Sequence, residues 1–161
     1  MSRRAVIVVV VTCLALPATA LAERPFTVQD LVRMQRISDP QLAPSGDTVA
    51  FTVTTMDLEA NRGRSDVWMA HLDGSGVKRL TSHEASDASP RWAPDGTLYF
   101  LSSRSGSAQV WRLPVDGGEA VQVTDLPLDV ESFRPGPTGD ALFVAMQVFP
   151  DCDDPGPCTV E

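Results

Sequence analysis

The sequence predicts an all-β chain, a partial β-propeller of about three four-stranded blades preceded by a signal peptide and a short helix. Three observations carry this. First, a block of residues repeats. Asp66-Val67-Trp68, Leu72-Asp73-Gly74 and Leu80-Thr81 return as Gln109-Val110-Trp111, Val115-Asp116-Gly117 and Val123-Thr124, all 43 positions later with no gap. Second, a Pro-x-Gly turn occurs three times, at Pro44-Ser45-Gly46, Pro94-Asp95-Gly96 and Pro137-Thr138-Gly139, with spacings of 50 and 43 residues. Third, the segments between turns are short, alternating and rich in β-branched and aromatic residues. Four short strands in roughly 43 residues match one propeller blade, whose sheet buries its faces only by stacking on its neighbours.

Composition agrees. The 161 residues are 43% hydrophobic and 21% charged, a globular balance. Thirteen Pro and 11 Gly make the chain turn-rich without low-complexity periodicity. The net charge of −8 argues against a nucleic-acid or anionic-membrane surface, because phosphates would be repelled.

Residues 1–22 read as a secretory signal peptide. Arg3 and Arg4 form a positive start, Ala5 to Leu16 an apolar run, and Pro17 ends it. Ala20-Leu21-Ala22 fits the small-x-small cleavage pattern, placing the cut between Ala22 and Glu23, with Ala20 a second option. The run is shorter than the ~20 apolar residues of a membrane span. Ser2-Arg3-Arg4 hints at twin-arginine export, but the strongly apolar run favours the general route. The expected location is therefore periplasmic or secreted, with no membrane attachment after cleavage. Removal would leave 139 residues and shift the charge to −10.

Residues 23–36 form an extension with a short helix from about Val28 to Gln35. Thr27-Val28-Gln29-Asp30 is a capping-box-like start, with Asp in place of the usual Glu. Val28, Leu31 and Val32 make an apolar face expected to cover a propeller edge.

Residues 37–161 are the partial propeller, with blades at about 37–82, 83–125 and 126–161, the last incomplete. In the first blade Thr48 to Thr54 alternates, with Val49, Phe51 and Val53 on one face and Thr48, Ala50 and Thr52 on the other. Asp66 to Leu72 is the next strand, Asp73-Gly74 a hairpin turn, and Val77 to Leu80 a third, short strand. The stretch before each Pro-x-Gly turn, such as Ser89 to Trp92, supplies the inner strand. The polar residues around Asp57 to Arg64 read as a loop insertion that lengthens the first repeat. Trp68 and Trp111 hold equivalent positions. With Phe51, Trp92 and Phe100 they are expected to pack between blades rather than stack on a ligand.

Cys152 and Cys158 flank the turn pair Pro155-Gly156, and in an oxidising compartment they read as a small-loop disulfide. No His lies near to suggest a metal pair. The carboxylates Asp151, Asp153 and Asp154 lack the spacing and glycine of a calcium loop. No cofactor or metal is called for. His71 and His83 sit on or near turns and read as surface or locally bonded histidines.

In order along the chain, these pieces resemble the propeller of prolyl oligopeptidase-family serine peptidases, in the bacterial secreted dipeptidyl-peptidase and acylaminoacyl-peptidase branch. The resemblance rests on Phe26 to Leu31, Ile37 to Gly46, Asp66-Val67-Trp68, Ser89 to Gly96, Phe100 to Arg104, Asp116 to Glu119 and Val148 to Cys152. The Pro-x-Gly motif alone is shared with TolB- and WD-like repeats. The resemblance implies a propeller that limits peptide access to a separate α/β-hydrolase domain carrying the Ser, Asp and His. That domain has no counterpart in this sequence. No G-x-S-x-G nucleophile elbow occurs. Ser45, Ser75 and Ser107 adjoin glycines, but in turns of the repeats. The adjacent glutamates that some dipeptidyl peptidases use for the substrate amine are absent too. No catalytic residue is assigned. The implied function is the N-terminal propeller of an exported serine peptidase, whose partners are the missing C-terminal hydrolase domain and peptide substrates. The alternative is a periplasmic TolB-like propeller that binds proteins without catalysis.

Overall fold

The computed structural model describes residues 24–114 and 118–148. The signal peptide, Val115–Gly117 and the cysteine-bearing tail lie outside these residues. One short helix, α1 (Val28–Arg33), precedes ten strands. Strands β1 (Arg36–Leu42), β2 (Thr48–Asp57), β3 (Arg62–His71) and β4 (Lys78–Arg79) form one antiparallel sheet in chain order. Strands β5 (Asp87–Trp92), β6 (Leu98–Ser102), β7 (Gln109–Leu113) and β8 (Val121–Gln122) form a second sheet of the same order. A third sheet pairs β9 (Ser132–Pro135) with β10 (Leu142–Ala145). The described residues thus hold two four-stranded blades and two strands of a third.

The repeat governs hydrogen bonding as well as strand order. Each Pro-x-Gly sits in a tight turn closed from the glycine N–H to the carbonyl three residues back: Gly46 to Ala43, Gly96 to Ala93, Gly139 to Gly136, at 2.9–3.0 Å. Proline presets φ at the second turn position, and the glycines adopt φ of 79°, 85° and 78°, which other residues reach only with strain. At the outer edge, Thr81 Oγ1 accepts from Val67 N at 3.0 Å, and Thr124 Oγ1 accepts from Val110 N at 2.8 Å. These threonines satisfy backbone donors that the two-residue strands β4 and β8 are too short to cover.

The core lies between the sheets. Ala50 and Val67 of the first blade pack on Leu98, Phe100 and Leu113 of the second, with Leu80, Trp92, Trp111 and Ala120 around them. Small residues on one sheet let the aromatic face of the next approach, and Phe100 is fully buried there. The opposite face of the second blade repeats the arrangement, with Val110 against Val130 and Phe133 and with Tyr99, Leu101, Leu126, Leu142 and Met146 alongside.

Several expectations shift. The face of β2 buried against the second blade carries Thr48, Ala50 and Thr52, while Phe51 is only half-buried. Phe51 pairs with Trp68 across β2 and β3, as Phe100 pairs with Trp111 across β6 and β7. In the second blade that aromatic face meets the first blade; the first blade comes earliest of the described blades. The residues around Asp57 to Arg64 are not a loop insertion. They extend the hairpin, with Thr55 opposite Arg64, Met56 opposite Gly63 and Asp57 opposite Arg62. The turn closes because Asp57 Oδ1 accepts from the N–H groups of Glu59 and Ala60 and Asn61 takes a positive φ of 46°. Helix α1 ends at Arg33. Its capping box forms between Thr27 and Asp30, but none of its residues is buried. Val28 and Leu31 are 71% and 51% exposed, and of the three expected apolar residues Val32 alone is half-buried.

Candidate functional site

Two regions bring polar and charged side chains together, both at the junction of the first two blades. One lies on the inner strands. Both β1–β2 and β5–β6 carry a bulge, between Ser38 and Gln41 and between Ala88 and Arg91. Asp39 and Ser89 sit in these bulges with φ of 50° and 55°. The extra residue turns each strand and re-aims its side chains. Arg91 thereby donates to Asp39 Oδ2 at 2.6 Å across the blade boundary. Gln41 Nε2 donates to the other Asp39 oxygen at 2.7 Å, and the Trp92 indole N–H donates to the Gln41 carbonyl at 3.0 Å. Adjacent residues of one inner strand thus grip a three-residue stretch of the next.

The second region is a groove where the β4–β5 and β6–β7 connections meet. One part, about 670 Å³, is lined by Leu80–Glu84, Arg104, Leu113 and Gly118–Ala120. A second part, about 500 Å³, adds Arg62, Arg64, Ser86 and Ser103. His83, Glu84 and Arg104 line both. Arg104 donates to Asp87 Oδ2 at 2.6 Å, and its guanidinium lies 5.3 Å from the Phe100 ring centre and 4.9 Å from that of Trp111. The Asp87 side chain is fully buried. A planar cation stacked on two rings and paired to a buried carboxylate is a fixed strut, held in place by cation–π and ionic attraction. On the first blade Asp66 is shared by Arg79 at 2.8 Å and Arg64 at 3.7 Å.

Neither region holds a nucleophile–base pair. His83 Nδ1 accepts from the Ala85 N–H at 3.0 Å, and His71 Nδ1 lies 3.3 Å from the Thr48 hydroxyl. The Ser45 hydroxyl bonds to Asp47, Ser107 accepts from Gln109, and Ser75 donates its N–H to Asp73. Among the described residues, no serine hydroxyl is bonded to a histidine and no group of three or more His, Cys, Asp or Glu could hold a metal ion.

The shifted carboxyls lie in turns and, for Asp30, in the first turn of α1. The Ser45 hydroxyl, then that of Thr48, holds the Asp47 carboxyl below its usual range. Ser75 does the same for Asp73, and the Thr97 N–H for Asp95. The Arg24 guanidinium, with help from Thr27, pushes Asp30 far down at the helix start. These shifts mark anions that brace turns.

The remaining sequence positions fall as follows. Trp68 and Trp111 occupy matching half-buried places on β3 and β7. Pro44, Gly46, Pro94, Gly96, Pro137 and Gly139 form the three turns. Ala22, Glu23, Cys152 and Cys158 lie outside the described residues. The Arg91–Asp39 and Arg104–Asp87 pairs had escaped sequence reading. They link residues 52 and 17 positions apart. The one available signal was the matching place of Asp39 and Ser89, each five residues before a turn proline.

The sequence matches the family model described as the TolB beta propeller domain over residues 29–147. A Bacillus subtilis protein named as an uncharacterized peptidase, YuxL, is 32% identical over 124 residues, covering 76% of this chain and 19% of its own length. Dipeptidyl-peptidase 5 of Porphyromonas endodontalis is 30% identical, covering 76% and 18%. Among solved structures, an uncomplexed acylaminoacyl peptidase of Pyrococcus horikoshii superposes with a TM-score of 0.59 at 26% identity, covering 76% of this chain and 19% of that one. The chain spans about a fifth of the length of these proteins. Among the described residues no helix is long and apolar enough to cross a membrane.

Proposed function

The chain belongs to the TolB beta propeller domain family, and on that footing we propose that it is the propeller part of an exported serine peptidase of the prolyl oligopeptidase family. In this reading the blades gate peptide access to an α/β-hydrolase domain outside the chain. That domain supplies the nucleophile and forms the acyl-enzyme. One observation carries the reading: the relatives are named as peptidases, the match is confined to a fifth of their length, and the matched part here is built of blades with no serine hydroxyl bonded to a histidine among the described residues.

Export is part of the proposal. A leader cut between Ala22 and Glu23 would deliver the chain to an oxidising compartment, where Cys152 and Cys158 would close a small disulfide loop. The family name also supports a second reading, a TolB-like propeller that docks proteins and cleaves nothing. The full gene product, including everything encoded after Glu161, separates the two. A gated peptidase hydrolyses short peptide amides, leaves a folded protein substrate intact and loses activity to a serine-directed inhibitor. A product with further blades and no peptide hydrolysis overturns the peptidase reading and favours the binding module.

A further inference from the structure

We propose that the outer edge of β3 at Gly63 is a docking edge for an acidic peptide, which adds to the sheet as an extended strand. The ladder sets the direction of the backbone there. β4 covers β3 only at Trp68 and Met69. Next to them the Val67 N–H donates to Thr81 Oγ1 at 3.0 Å, and the Val67 carbonyl accepts from the Leu80 N–H at 2.8 Å. Both backbone groups of Val67 therefore point away from β2. Alternate residues of a strand turn their N–H and C=O to the same edge. The register between β2 and β3 runs unbroken as far as Asp57 opposite Arg62, so Ser65 and Gly63 point outward as well. Ser65 donates its N–H to Ser86 Oγ at 3.3 Å. Gly63 is exposed, and among the described residues no strand lies beside its outer edge.

Three features suit this edge to a second backbone. The first is the glycine itself. Its φ is not left-handed, and an added Cβ would make ordinary contact with the Thr54 and Met56 side chains at 3.4 and 3.5 Å. Neither the fold of the hairpin nor its packing requires a glycine here, and a glycine inside a strand often marks the close approach of another backbone. The second is space: Gly63 lines a groove of about 500 Å³. The third is charge. Arg62, Arg64, Arg104 and His83 line the same groove, with Glu84 as its one carboxylate, on a chain whose net charge is −8. Arg104 is held by Asp87 and Arg64 lies 3.7 Å from Asp66, while Arg62 is exposed and enters no ion pair among the described residues. His83 accepts at Nδ1, so its neutral ring carries the proton on Nε2 and offers a further donor. In an added antiparallel strand the residue opposite Gly63 exchanges both backbone bonds with it, and its two neighbours share the face of Arg62 and Arg64. The matching segment is therefore Glu-x-Glu, with carboxylates on either side of an uncharged residue. A second copy of this chain is a poor occupant, because pairing edge to edge at Gly63 sets arginine against arginine. The inference stands apart from the proposed function, since edge and groove belong to these blades whether they gate a peptidase or dock proteins.

The test uses the 161-residue chain, the full gene product and three probes: acetyl-Thr-Glu-Val-Glu-Thr-amide, its Gln-Val-Gln analogue, and the Glu probe with N-methylvaline at its centre. Binding is followed through the Gly63 amide resonance and its hydrogen exchange. The expected result is that the Glu probe slows exchange at Gly63 and binds about fivefold tighter than the Gln probe, the upper range of an exposed ion pair. The N-methyl probe lacks the donor to the Gly63 carbonyl and should not bind. Arg62→Gln should cut the preference for Glu and leave the affinity of the Gln probe unchanged. Gly63→Pro removes the outward N–H, and proline is accepted on an edge strand where that N–H faces solvent. This variant should keep the urea midpoint of the parent chain and lose the probe. The full gene product should bind the Glu probe as the 161-residue chain does; loss of binding there would mean that a segment of the same product covers the edge, and would overturn the assignment to a separate peptide. Equal binding of the Glu and Gln probes, full binding of the N-methyl probe, or unchanged exchange at Gly63 overturns it too. None of these readouts involves peptide hydrolysis, so the proposed function fails on separate grounds.

Discussion

Arg104 shows how one side chain can serve packing and charge at once. Its guanidinium lies over Phe100 and Trp111 and pairs with the fully buried Asp87. Removing one partner of a buried pair leaves an uncompensated charge, a far larger loss than the pair contributes relative to an apolar substitute. Asp87→Ala should therefore lower stability by about 3–5 kcal/mol, measured by urea unfolding. Arg62→Ala, on an exposed residue with no ion pair among those described, should change it by less than about 0.5 kcal/mol. Similar losses for the two variants would show that the Arg104 strut contributes nothing special. Phe100 and Phe51 make the same point for apolar residues. Their sequence contexts are alike, yet Phe100 is fully buried and Phe51 only half-buried. The repeat reveals which residues correspond; burial also depends on which neighbouring blade each one meets.

Elements follow the repeat closely where the signal is local. The Pro-x-Gly turns, the Trp68 and Trp111 strands and the capping box were legible because each rests on a few adjacent residues with a fixed conformational preference. The hairpin extension at Thr55–Arg64 was not. Its polar residues suit a loop or a solvent-exposed strand end equally well, and only the pairing decides. The bulges at Asp39 and Ser89 were equally hidden, since an extra residue in one strand is visible only against its partner. The clasp between Arg91 and Asp39 joins strands of different blades, and its sequence trace is limited to the matching place of Asp39 and Ser89 before a turn proline. The turns also yield a pH prediction. Asp47, Asp73 and Asp95 have folded pKa values below the unfolded carboxylate value, each held down by hydrogen bonds inside its turn. Such groups add stability that is present above the unfolded pKa, about 4, and is lost as pH falls through the lower folded values. The triple Asp→Asn variant at these positions should show a shallower acid limb of stability below about pH 4, followed by fluorescence of the tryptophans. An unchanged limb would mean that the turns carry no such linkage. All three carboxyls are exposed, so the effect is a change of slope.

At the scale of the molecule, the first two blades are joined by small residues on one sheet, aromatic residues on the next, and the Arg91–Asp39 ion pair between their inner strands. Ser45, Ser75 and Ser107 are occupied in turns, and both histidines bond to neighbours other than serine. The central claim is a division of labour, with gating in these blades and nucleophilic chemistry elsewhere in the same gene product. Fluorophosphonate labelling with mass-spectrometric mapping tests it most directly. The account predicts no adduct on the 161-residue chain and, on the full gene product, a single labelled serine beyond Glu161. An adduct on any serine between Glu23 and Glu161 would contradict it.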